Sequence, residues 1–203
     1  MDTTTSSNIP GFVRLLQLAE EEGIELDNSM QSLQWLKAKY ESLRPADVIP
    51  VKFLRETDRR RKVPLLGRMY MFLYKPKYMD QLPFYDRFPL VFPIKRVPGG
   101  FYGMNLHYLP PKFRAILMDQ LYNLLNNTKF DETTRLRMTY DLLDRSSKYR
   151  WFRPCYKHYL NEGLQSTLIY IEPTEWNLAL FVPSEQFRKD TKRNVWQDSR
   201  NRF

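Results

Sequence analysis

Leu90-Val91-Phe92-Pro93-Ile94-Lys95-Arg96-Val97-Pro98-Gly99-Gly100-Phe101-Tyr102-Gly103-Met104-Asn105-Leu106-His107-Tyr108 is the stretch that decides the fold. Leu90–Arg96 and Phe101–Tyr108 carry the β-branched and aromatic residues that suit a pleated, half-buried surface. Between them, Val97-Pro98-Gly99-Gly100 makes a tight turn. Pro98 presets φ at its second position, and Gly99 supplies the positive φ that the third position of a type II turn requires. The reading is a β-hairpin. Pro93 has no N–H to give a ladder, which places the first strand towards a sheet edge.

Outward from the hairpin, seven of the 14 prolines fall between residues 65 and 111 and forbid a long helix there. Met69–Tyr74 is a further strand. Pro110-Pro111 ends the strands and opens a helix with Phe113, Ile116, Leu117, Leu121 and Leu124 on its buried face, closed by Asn126-Asn127. Asp131 caps the next helix, which carries Leu136, Tyr140 and Leu143 on one side. A third helical stretch is expected from Pro154 to Asn161, stopped by Gly163. Thr167–Ile171 and Trp176–Val182 are read as strands joined by Glu172-Pro173-Thr174-Glu175. Ser184 would cap a short turn through Gln186 and Phe187.

Ahead of this region, two short amphipathic helices are expected. Pro10 opens the first, Phe12, Val13 and Leu16 line it, and Gly23 ends it. Asn28 opens the second, with Leu33, Leu36, Tyr40 and Leu43 on one face, and Arg44-Pro45 stops it. The predicted organisation is an α+β chain: a helical arm over 1–45, a basic linker over 46–64, one core domain over 65–188 with antiparallel strands and packed helices, and a basic tail over 189–203. The arm can pack on its own core or on a neighbouring chain through Phe12, Leu16 and Leu36. In the tail, Trp196 and Phe203 read as isolated anchors for a partner.

The chain has 203 residues, with 32 Lys+Arg against 23 Asp+Glu and a net charge of +9. That excess is local. Residues 1–44 carry a net −3, residues 52–77 a net +7, and residues 145–157 five basic side chains with no acidic one. Arginine outnumbers lysine 19 to 13, which favours bidentate contacts to phosphate or carboxylate. Candidate phosphate or acidic-partner residues are Arg55, Arg59, Arg60, Arg61, Lys62, Arg150, Arg153, Arg188, Lys192 and Arg193.

Catalytic chemistry finds little support. One cysteine excludes an internal disulfide, and with two histidines it argues against a His/Cys zinc site. Cys155 and His158 would share a face of the expected helix, among cations that favour thiolate, but no triad spacing accompanies them. Glu172 and Glu175 are close, but no Glu-x-Lys arrangement of a metal-dependent nuclease accompanies them. Gly99-Gly100-Phe101-Tyr102-Gly103 leads into a strand and is a turn, not a nucleotide loop. No metal, cofactor or catalytic residue is expected. No apolar run reaches the length of a membrane span, and the first residues lack the basic and apolar regions of a secretory signal. Rings interleaved with cations at Arg68, Tyr70, Phe72, Tyr74, Lys75 and Lys77, and again at Tyr149–Arg153, would suit base stacking, though rings alternating along a strand more often form core.

Tyr70-Met71-Phe72, the run Leu82-Pro83-Phe84-Tyr85-Asp86-Arg87-Phe88-Pro89-Leu90-Val91 and the run Gly100 to Pro110 resemble a segment of small proteins of large contractile-tailed bacteriophages. The ending is similar to the same group: Trp176 to Val182, Phe187, and Val195-Trp196-Gln197-Asp198-Ser199-Arg200. These are virion, head-completion or DNA-end-protecting proteins. The resemblance spans roughly residues 65–125 and 150–200 and implies a virion protein made in the host cytoplasm. Its implied partners are other virion proteins and the backbone of double-stranded DNA, with no membrane. It fixes no catalytic residue. Two placements follow from it: a head protein near the packaged genome, or a structural adaptor in the tail or baseplate. A nuclease is the minority alternative.

Overall fold

In a computed structural model, residues 18–24, 31, 34, 35, 38, 39, 58–125, 127–150, 152–173, 176, 179 and 185–201 are described. In chain order the elements are β1 (Arg60–Arg61), β2 (Met69–Met71), β3 (Tyr85–Asp86), β4 (Leu90–Val97), β5 (Gly100–Asn105), α1 (Pro111–Leu125), α2 (Glu132–Ser146), β6 (Tyr156–Leu160), β7 (Leu168–Ile171), β8 (Phe187–Arg188) and α3 (Lys192–Asn201). Six strands form one antiparallel sheet in the order β1-β7-β2-β4-β5-β6, and β3 pairs with β8 as a second, two-stranded sheet. The class is α+β, as the sequence predicts.

The hairpin closes as its residues dictate. Val97 pairs with Gly100, leaving Pro98-Gly99 as the loop, and Gly99 sits at φ +75°. Gly100 is fixed by crowding: a Cβ there would lie 2.1 Å from the Tyr159 carbonyl oxygen. The expectation for Pro93 needs correcting. β4 is an interior strand, flanked by β2 and β5, and the ladder shifts register between Pro93 and Lys95. The bulge takes the residue without an N–H, and the Pro93 carbonyl accepts from Gly67 N–H at 3.0 Å.

Strand alternation sorts the core into two faces. On the first lie Met69, Met71, Leu90, Phe92, Ile94 and Met104, joined by Leu117 and Leu121 of α1, Leu143 of α2, Val195 of α3 and Trp176. The second holds Tyr70, Phe72, Tyr74, Val91, Phe101, Tyr159, Leu168 and Tyr170. Its rings meet edge to face: Phe72 on Tyr159 at 5.2 Å and Tyr74 on Tyr159 at 4.9 Å, contacts worth about 1 kcal/mol each beyond area burial. The alternating rings of residues 70–74 are therefore core, not a stacking surface.

The helices follow their signals in part. The Asp131 carboxylate accepts from Thr134 N–H at 2.8 Å and caps α2. Residues 18–21 are helical and end at Gly23, φ +66°, where Ile24 N–H reaches the Ala19 carbonyl at 2.7 Å and Gly23 N–H that of Glu20 at 3.1 Å. Trp35 and Lys39 both donate to the Glu22 carboxylate at 2.6 Å, and Trp35 packs against the first core face. Phe12, Leu16, Leu36 and Phe203 lie outside the described residues, as do Arg55 and Ser184.

Four local readings change. Ile116 is 42% exposed rather than buried. Residues 156–160 are a strand, not a helix: Pro154 sits in a single 3₁₀ turn, Arg153–Cys155, and Tyr156–Leu160 then pairs with β5. Trp176 and Ala179 are helical, so Pro173 precedes a helix where a turn between strands is expected. Phe187 belongs to β8, which pairs with β3, not to a helical turn. Within the basic tail, Lys192–Asn201 forms α3, with Val195 fully buried.

Candidate nucleic-acid interface

Arg59 stands in the turn before β1, Arg60 and Arg61 form β1, and Lys62 follows it exposed. Two residues of the expected linker thus join the sheet as its edge strand, Arg60 opposite Ile169 and Arg61 opposite Leu168. An edge strand ending in cations discourages pairing with another chain while holding the charges on rigid backbone. Arg61 Nη1 donates to the Asp58 carbonyl at 2.5 Å, and its guanidinium lies 5.8 Å from the Tyr170 ring centre.

Arg150 and Arg153 lie exposed between α2 and β6, at the other end of the sheet. Five strand spacings of about 4.8 Å put the two edges about 24 Å apart, so these are separate patches. Beside the second patch, Tyr156, Tyr102 and His158 form a row. Tyr102 stacks on Tyr156 at 5.2 Å and on His158 at 4.5 Å, and Lys95 lies across the ladder from Tyr102.

A third basic group surrounds a cavity of about 360 Å³, lined by Leu73, Tyr74, Lys75, Met79, Tyr85, Arg87, Gln165 and Arg188. Of these, Arg188 is predicted from sequence as a phosphate or acidic-partner residue, and Tyr74 and Lys75 belong to the predicted run of rings and cations. Arg87 and Gln165 are missed because they stand 78 residues apart in the chain. The backbone converges there through pairing: Tyr85 with Arg188, Tyr74 N–H to the Arg87 carbonyl at 2.9 Å, and Lys75 N–H to the Gly163 carbonyl at 2.9 Å. Lys192 and Arg193 open α3, where the Lys192 ammonium lies 5.8 Å from the Trp196 ring centre.

A buried polar network also escapes the sequence. Asp86 accepts from Phe88 N–H at 3.0 Å and Asn105 Nδ2 at 3.1 Å, and its Oδ2 lies 2.6 Å from His107 Nδ1. Arg114, fully buried, donates to the Leu109 carbonyl at 2.8 Å and pairs with the buried carboxylate of Glu185. Burial would raise the Glu185 carboxyl, but Arg114, with His107 and Lys192, holds it below its ordinary value. Trp196, expected as an anchor for a partner, donates its indole N–H to the His107 carbonyl at 2.8 Å. This network fastens α3, the turn after β5 and the start of α1 to one another.

The thiol expectation reverses. Cys155 is fully buried, and burial pushes its pKa up to about 12 against the pull of Lys157 and Arg114. Cys155 also lies in a 3₁₀ turn and His158 in β6, so they share no helical face. Among the described residues no three His, Cys, Asp or Glu side chains gather as a metal site, and no helix is long and apolar enough to cross a membrane.

No curated protein and no solved structure matches the chain. A family profile does, over residues 49–199, which takes in the whole six-stranded sheet, the cavity and nearly all of α3. The chain belongs to the family of the phage T4 terminal DNA protecting protein.

Proposed function

We propose that this chain is a non-enzymatic structural component of a tailed-phage virion, placed at the head where it holds an end of the packaged genome through phosphate contacts. The observation that carries the reading is the extent of the family match. Residues 49–199 include every basic residue named above as a phosphate or acidic-partner candidate: Arg55, Arg59–Lys62, Arg150, Arg153, Arg188, Lys192 and Arg193. Exposed cations on paired strands and short turns keep their spacing as they meet a duplex. Such contacts release counterions and position the protein without reading sequence. The apolar residues Phe12, Leu16, Leu36 and Phe203 are left to dock neighbouring virion proteins.

Equilibrium binding to linear duplex DNA over a salt series tests this. Binding at about 50 mM salt should weaken steeply as salt rises. Changing Arg59, Arg60 and Arg61 to Glu should lower the slope by about 0.9 for each phosphate that is no longer neutralised. Absence of binding at low salt contradicts the reading.

A further inference from the structure

We propose that the cavity between the two sheets receives the 5′-terminal phosphate and nucleotide of a DNA strand; the proposal rests on the DNA-end reading above. Its volume, about 360 Å³, falls in the range of sites that enclose a small ligand group. Its polar lining is cationic: Lys75 from the segment after β2, Arg87 directly after β3 and Arg188 from β8, with the amide of Gln165 and no carboxylate. Two neighbouring acids are engaged elsewhere. Glu162 pairs with Lys77 at 3.0 Å, and Asp86, between Tyr85 and Arg87, turns inward to Asn105 and His107.

Leu73, Met79 and the half-buried ring of Tyr85, beside the core residue Tyr74, give the cavity an apolar and aromatic wall suited to a sugar and base. The wall is held. Lys189, next to Arg188, sits at φ +71°, a conformation unfavourable for a residue with a Cβ. Its ammonium donates to the carbonyls of Met79, Asp80 and Leu82 at 2.6, 3.0 and 2.9 Å, tying the loop over 79–82 to the end of β8. The three bonds hold this residue in its unfavourable conformation and so keep the rim in place without a ligand.

A concave site with three cations discriminates chain ends. An internal phosphodiester carries one charge and has chain on both sides, so it offers the cations less charge and fits the cavity less readily. A terminal phosphate carries close to two charges at neutral pH and has three free oxygens for Arg and Lys.

The test titrates the full chain with duplexes of one sequence, bearing either 5′-phosphate or 5′-hydroxyl ends, at about 100 mM salt. The phosphorylated end should bind at least about tenfold tighter. The Arg87→Gln/Arg188→Gln double variant should lose that preference while still binding the hydroxyl-ended duplex. Lys75→Gln, on an exposed side chain, should reduce the preference and serves if the double variant does not fold. Equal binding of both ends by the unaltered chain, or a preference unchanged in the variants, overturns the proposal and leaves the DNA-end reading standing. Binding of neither duplex overturns both. A free mononucleotide 5′-phosphate that competes as well as the phosphorylated duplex overturns the assignment to a DNA end.

Discussion

Asp86 and His107 meet inside the protein, Oδ2 to Nδ1 at 2.6 Å, with both side chains buried. One carboxylate there joins β3, the end of β5 and the turn that leads to α1. Replacing Asp86 with Ala leaves the Phe88 N–H and the Asn105 amide without their acceptor in a buried setting. The expected cost is about 3 kcal/mol or more, read as a lower urea midpoint at unchanged slope. A loss under about 1 kcal/mol would mean that the network does not fasten these elements.

Glu185 supplies a pH dependence. Its folded carboxyl is held below 4.5, its ordinary value, so the folded state binds its proton less readily than the unfolded chain. Its contribution is complete above about that pH and is lost as pH falls through the folded value. Glu185→Gln leaves Arg114 buried without its carboxylate. It should cost about 3 kcal/mol at pH 7 and flatten the loss of stability as pH falls below about 4.5. An acid-unfolding profile parallel to that of the unaltered chain would contradict this.

The last residues should matter for folding as well as for docking. Removing residues 189–203 takes away Val195, fully buried, and the Trp196 indole bonded to His107. One buried side chain, one half-buried ring and one hydrogen bond amount to about 3 to 5 kcal/mol, visible as a lower melting temperature. An unchanged melting temperature after truncation would show α3 to be dispensable.

These elements mark where sequence reading succeeds and where it stops. The Pro98-Gly99 turn, the Asp131 cap and the Gly23 stop are local, because each rests on the φ or side-chain chemistry of one or two residues. Pro93 misleads because a bulge can place it inside a sheet. Tyr156–Leu160 misleads because a short apolar and aromatic run fits either period, and tertiary pairing with β5 decides. The helix α3 carries only Val195 and Trp196 as large apolar residues, too few for a periodic signal. For the site, the basic clusters are legible as runs of charge. The cavity of Lys75, Arg87, Gln165 and Arg188 depends on strand pairing that no spacing encodes.

Cys155 offers a probe of the closed core. With its pKa pushed up to about 12 by burial, the thiol should resist alkylation at pH 8 in the folded chain and react once urea unfolds it. Rapid labelling under native conditions would mean that the 3₁₀ turn opens to solvent.

The most direct test of the central claim is protection of a DNA end. Linear duplex with 5′-phosphorylated ends, incubated with the protein at low salt, is challenged with a processive exonuclease, and in parallel with an endonuclease. Exonuclease digestion should slow in proportion to occupied ends, endonuclease cutting away from the ends should proceed unchanged, and raising the salt should abolish the protection. Exonuclease digestion at the same rate with and without the protein, under conditions where it folds, would contradict the account.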